Sequence, residues 1–240
     1  MGLMALVPTV PGLSIRPVDN SQELLAARRL HSQCFVEEGF ISSAELGADG
    51  LIHDDWVPFS DYFIAVDEQA GQIVGTCRLI RPSVRGFPAF QHFDVRDDAM
   101  EIFADIDTNR CAEISALATL RNGMQHMAIS GALYGAVWRR AIETRRAYLL
   151  AIVDDRMLMF ARRFLEIPML QIGESREFMG ARTTPTAIYV PRAAESMAPD
   201  NLRFFSGDIP FSELDEVVID LRSTVPEIQP KVRDLTARRA

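Results

Sequence analysis

The sequence predicts an α/β (α+β) fold in which helices cover a mixed sheet, and three observations carry that prediction. Strand-like and helix-like segments alternate along the chain with no internal repeat. Of the 240 residues, 48% are hydrophobic and 24% charged, enough apolar material for a substantial core. The run Tyr148-Leu149-Leu150-Ala151-Ile152-Val153 has no polar face, the pattern of a strand buried on both sides.

The elements follow in order. Residues 13–18 alternate apolar and polar side chains and form the first strand. Asp19-Asn20-Ser21 then offers an N-cap, with Glu23 placed to close a capping box. From residue 22 to about 35, Leu24, Leu25, Ala27, Leu30, Cys34 and Phe35 recur at helical spacing, and Gly39 ends the helix. Residues 40–60 read as a loop rich in acids, including Asp49, Asp54 and Asp55; a loop of that length points to function or mobility. Residues 61–66 and 72–80 are rich in strand formers and make a hairpin around the turn at 67–71. The segment holding Pro82, Gly86 and Pro88 reads as irregular.

The fourth strand is residues 111–120, ending in the turn Arg121-Asn122-Gly123. A long helix from about 124 to 146 carries the stripe Met127, Leu133, Tyr134, Val137, Trp138 and Ile142. After the buried fifth strand, Asp154-Asp155 caps a helix from 156 to about 165, which Pro168 prevents from continuing. Two weaker strands follow at 169–173 and 186–190. Residues 213–221 suggest one further element, and 226–240 a polar, frayed tail. The expected division is an extension over 1–12, one domain over 13–194 and a C-terminal extension over 195–240.

Twenty-five basic against thirty-three acidic residues leave a net charge of −8, which argues against binding to nucleic acid or an anionic membrane surface. No apolar stretch is long enough for a membrane helix and no secretory signal is legible, so a cytoplasmic protein is expected. Cys34, Cys77 and Cys111 are widely spaced among apolar residues and read as buried free thiols. No histidine is tied to them by spacing, so neither a metal site nor a cysteine nucleophile is indicated.

The residues also resemble a known family. Arg28 with Phe35 on the first helix, Asp54-Asp55 before the second strand, Gly75-Thr76-Cys77-Arg78-Leu79 on the third, Phe93 after it and Glu113-Ile114-Ser115 on the fourth carry the resemblance. The pattern, which runs from about Leu13 to Pro191, is similar to that of the GNAT superfamily of N-acyltransferases. Within it, the chain resembles the branch of LuxI-type acyl-homoserine lactone synthases and FeeM-type N-acyl amino acid synthases. It departs from the synthases at Val36-Glu37-Glu38, where they carry an aromatic residue, and at Ala116, where they carry a basic one.

What the resemblance implies is a mostly antiparallel sheet with a V-shaped splay between its fourth and fifth strands. It implies transfer of a fatty acyl group to the amino group of a small amine or amino acid by direct attack, with no resident cofactor. Glu113 and Ser115 fall at the catalytic positions, Glu113 as general base. Leu117, Ala118, Thr119, Arg121, Asn122 and Gly123 fall where an acyl-phosphopantetheine donor would lie, Arg28, Phe35, Asp54, Asp55 and Arg78 where the acceptor would, and Phe93 at the acyl pocket. Arg121-Asn122-Gly123 has a single glycine, a cradle better suited to the one phosphate of an acyl carrier protein arm than to the pyrophosphate of coenzyme A. Glu113 can equally be a structural carboxylate paired with Arg78, and Arg78 either that partner or a bidentate site for an acceptor carboxylate. His126 reads as a surface histidine or a contact to the donor phosphate. A coenzyme A-dependent acetyltransferase and a catalytically silent acyl-ligand-binding domain are the alternatives.

Overall fold

The computed structural model describes residues 11–120, 123–163 and 166–196. The expectations for 1–10, for Arg121 and Asn122, and for the C-terminal extension beyond 196 lie outside the described residues.

Eight strands form one sheet in the order β1-β2-β3-β4-β5-β8-β6, with β7 also paired to β8. They are β1 (Leu13–Pro17), β2 (Ser60–Asp67), β3 (Gln72–Ile80), β4 (Cys111–Thr119), β5 (Tyr148–Asp154), β6 (Leu170–Gln171), β7 (Arg176–Phe178) and β8 (Ala181–Tyr189). Among the described residues only the β4–β5 pair is parallel; every other ladder is antiparallel. The mostly antiparallel sheet expected from the resemblance is therefore present.

Helices α1 (Ser21–Glu37) and α4 (Gly123–Glu143) lie on opposite faces. Under α1, Ala27 packs on Tyr62, Ile64 and Val66, while Leu30 and Cys34 pack on Ala118. The other face buries Phe63, Ala65, Cys77 and Leu79 with Ile129, Leu133 and Val137 of α4 in the main core. This alternation follows from the two-residue period of the strands. Gly75 lets α4 approach: a Cβ there would sit 2.7 Å from Ile129 Cγ2.

Local chemistry explains the ends of α1. The Asn20 side chain accepts the N–H groups of Gln22 and Glu23. Glu23 does not close the expected box on the N-cap residue; it accepts the Asp19 N–H and the Arg16 guanidinium instead. Gly39, at φ +76°, turns the chain out of the helix.

The irregular reading of residues 81–110 is corrected by two helices, α2 (Pro88–His92) and α3 (Asp97–Asp105). Pro88 sits at a first-turn position, where a proline costs no hydrogen bond, so it begins a helix here and does not break one. β8 is longer than expected and has β7 as a hairpin partner. Its polar residues hid it: Thr183, Thr184 and Thr186 are buried, with the Thr186 hydroxyl donating to the Ala151 carbonyl at 2.9 Å. The residues after Tyr189 turn into α6 (Val190–Ser196). Helix α5 (Asp155–Arg163) is capped as expected, the Asp154 carboxylate accepting the N–H groups of Arg156 and Met157.

Candidate active site

Among the described residues, strand β4 is paired on both sides only at Glu113 and Ile114. Cys111 to Ile114 lie opposite Tyr148 to Ala151 of β5, and the β4–β5 ladder ends there. Beyond it β5 continues against β8 as far as Asp154, while β4 continues against β3 as far as Thr119. The two strands separate, and among the described residues Ser115–Thr119 has a neighbouring strand on one side only. A bulge marks the departure: Thr76 faces Ala118 and Arg78 faces Ser115, so β4 carries one residue more than β3 between them. Ala116 takes it up at φ +54°. The unpaired edge leaves peptide groups for an added extended segment, the way such edges bind ligands.

Glu113 is the last acid before the separation. It is 1% exposed, opposite Leu150 on β5 and Ile80 on β3. Its carboxylate accepts the Ala89 N–H at 3.0 Å from α2. Burial pushes its pKa up to about 8, opposed by that N–H and by the nearby Arg78 charge. No hydrogen bond or salt bridge joins it to Arg78, so the paired-carboxylate alternative is not what the structure contains.

Arg78 has other partners. Its Nη1 is 2.6 Å from Asp54 and donates to the Tyr62 hydroxyl at 3.1 Å, and Nη2 donates to Ser115 Oγ at 3.4 Å. Burial works against its charge, but Tyr62 and Asp54 more than offset this and hold its pKa above the ordinary value. Nη1 is committed to Asp54 and Tyr62, which leaves the Nε–Nη2 edge facing Ser115. The cross-strand register builds the cluster, since Tyr62, Arg78 and Ser115 are successive partners across β2, β3 and β4.

The fold thus gathers Asp54, Arg78, Glu113 and Ser115 beneath α1. Arg28 comes close enough for its charge to act on Tyr62 and His31, with Nη2 reaching the Ile52 carbonyl at 3.5 Å. Phe35 stands on the same helix, its ring 5.2 Å from that of Phe40. Asp55 does not join: its carboxylate turns outward to Arg85 at 2.7 Å and His53 at 3.3 Å. Phe93 is buried in a different aromatic group, edge-on to Phe178 with Arg176 over its ring at 4.9 Å. Among the donor positions, Leu117, Ala118 and Thr119 lie on the open half of β4 and Gly123 begins α4. Thr119 Oγ1 shares a hydrogen bond with His126 Nδ1, which brings that histidine to the mouth of the gap.

All three cysteines are buried and free. Burial pushes the thiols up, Cys34 to about 11 and Cys77 and Cys111 to about 12, which leaves them poor nucleophiles. Sequence reasoning missed Tyr62 and His31. Both had a signal, Tyr62 in its hairpin partnership with Arg78 and His31 in its spacing of three residues from Arg28. A groove of about 800 Å³ lined by Arg16, Asp19, Asp61 and Arg140 includes none of the expected site residues.

The profile of the family described as N-acyl amino acid synthase FeeM matches residues 26–189. Comparison with curated proteins returned no match. Among solved structures, the chain is similar to FeeM, an N-acyl amino acid synthase from uncultured soil microbes, at 20% identity and a TM-score of 0.56. That match covers 78% of this chain and 96% of the other. The coenzyme A-dependent acyl-homoserine lactone synthase BjaI, with MTA, gives 19% identity and 0.59, covering 90% and 92%. TofI, in a ternary complex with an inhibitor and MTA, gives 15% and 0.58, covering 79% and 98%. At these identities the structural likeness establishes the fold.

Proposed function

The chain belongs to the N-acyl amino acid synthase FeeM family, a family of acyltransferases, and from that membership we propose that it moves a fatty acyl group from a thioester to the amino group of an amino acid. The single observation that carries the reading is the unpaired edge of β4, which begins at Ser115, two residues beyond the buried Glu113.

The reaction is a direct attack. The acceptor nitrogen adds to the thioester carbonyl, the carbon–sulfur bond breaks, and an amide and a free thiol leave. The phosphopantetheine arm lies along Ser115–Thr119 as an added strand, and a β4 amide N–H faces the developing oxyanion. The ammonium first gives one proton to solvent, and Glu113 takes the second from the attacking nitrogen and returns it to the departing thiolate. A carboxyl near pH 8 is matched to that exchange, since an α-amino group titrates at about 8 as well. Ser115, tied to Arg78, orients the acceptor.

An acyl carrier protein is the donor, and the enzyme works in the cytoplasm. The single glycine of Arg121-Asn122-Gly123 supports a one-phosphate donor, and the exposed Arg156 and Arg163 of α5, beside the end of β5, suit an acidic carrier. A second reading, an acyl-coenzyme A donor, is favoured by the similarity to BjaI, a coenzyme A-dependent synthase. Purified protein is incubated with each donor and a panel of amino acids while free thiol is followed. Release from acyl carrier protein in the presence of an amino acid is expected. Preference for acyl-coenzyme A would overturn the carrier assignment, and silence with both donors would overturn acyl transfer.

A further inference from the structure

His31 lies three residues after Arg28 and four before Phe35, so the three side chains share one face of α1. Its ring meets Phe35 edge-on with centroids 4.2 Å apart. Its Nε2 is buried and has no hydrogen-bond partner among the described residues, and Arg78 Nε is in the same state. An unpaired buried polar atom destabilises a protein, and native structures hold few of them. Two of them at one charged cluster mark a place that a ligand completes.

The charges acting on His31 identify that ligand. They are the guanidiniums of Arg78 and Arg28 and the carboxylate of Asp54. Asp54 is bound to Arg78 at 2.6 Å. Arg28 is left with only its 3.5 Å contact to the Ile52 carbonyl among the described residues. Burial, Arg78 and Arg28 push the imidazole pKa down to about 3, so the ring is neutral near pH 7 and offers one N–H donor. Two guanidiniums against one carboxylate leave the pocket positive. A ligand ammonium is repelled there and a ligand carboxylate is attracted.

We infer that His31, donating through Nε2–H, binds together with Arg28 the carboxylate of the amino-acid acceptor, and so is the residue that separates amino acids from simple amines. The inference rests on the acyl-transfer reading above and assigns a role within the same site. Arg78 and Asp54 fix the cluster, His31 and Arg28 hold the carboxylate, and the amine is left free to face Ser115 and Glu113.

The test compares an amino acid that the unmodified full-length enzyme turns over with the amine formed by its decarboxylation. In His31→Phe, which keeps a ring and loses the donor, KM for the amino acid should rise about tenfold or more with kcat little changed. KM for the amine should stay as it was. His31→Gln, which restores a neutral donor, should recover part of the loss. Neither variant should melt lower than the parent, because the unpaired nitrogen is removed or replaced. An unchanged KM ratio in well-folded His31→Phe, or an equal rise for both acceptors, would overturn the inference alone. Should His31→Phe fail to fold, His31→Leu decides on the same ratio, with a rise in KM for the amino acid alone supporting the inference and an unchanged ratio overturning it. No turnover by the parent with any donor would overturn the acyl-transfer reading, and this inference with it.

Discussion

The two halves of β4 are built differently. Cys111 to Ile114 are all buried and paired with β5, and Glu113 and Ile114 also have partners on β3, which keeps an acid from water next to the point of separation. Ser115 to Thr119 alternate buried and partly exposed residues, have one neighbouring strand among the described residues and begin with a bulge. The first half is a component of the core; the second is an open edge, the place proposed for the donor. The difference teaches that a sheet opens where its pairing stops. The buried acid Glu113 sits at the junction, where the core supplies a low dielectric and the edge supplies room.

The sharpest way to break that contrast is to remove the charge at the junction. Glu113→Gln keeps an oxygen for the Ala89 N–H and loses the base. Turnover measured by thiol release should fall by about 10²-fold or more, while circular dichroism stays native. A turnover within a factor of three of the parent would make Glu113 a structural residue.

The same group sets a pH dependence. A base titrating at about 8 is mostly protonated at pH 7, so kcat/KM should rise with pH and level off above 8. Stability moves the other way. A carboxyl whose pKa is raised in the folded state contributes stability fully at low pH, and that contribution is lost as pH rises from its unfolded value through about 8. Melting curves should therefore show the parent falling relative to Glu113→Gln between pH 5 and 9. Parallel curves would show that the acid is not desolvated.

Next in size is the ion pair under the open half. The Arg78 and Asp54 side chains are 5% and 12% exposed. Asp54→Ala leaves a buried guanidinium without its counter-charge and should destabilise the fold by about 3 kcal/mol in urea titrations. Asp55→Ala, on the exposed neighbour, should change stability by less than about 1 kcal/mol. Equal costs for the two would erase the distinction between the adjacent acids.

The smallest effect tests the bulge. Ala116→Gly relieves a left-handed backbone at an alanine and should stabilise the protein by up to ~1 kcal/mol. A loss of stability would mean that the methyl group, 7% exposed in total with its residue, contributes more through packing than the backbone costs.

Much of the fold was legible in local pattern. The hairpin of β2 and β3, the cap at Asp154, the glycine at the end of α1 and the buried run of β5 all follow from spacing and turn chemistry within a few residues. Elements whose composition misleads were not legible: α2 behind its proline, and β8 behind its threonines. In the site, Arg78, Glu113 and Ser115 were identifiable on their strands through the resemblance. The choice between Asp54 and Asp55 was not, because two adjacent acids are equivalent until the loop decides which faces inward.

The sequence by itself determined most of the strands and helices, because period, capping and turn preference act over a few residues. Tertiary structure decided that β4 leaves β5 after Ile114, that Arg78 goes to Asp54 and not to Glu113, and that Glu113 titrates near 8. Strand pairing, ion pairing and desolvation arise between segments far apart in the chain, and their outcome exists only once those segments meet.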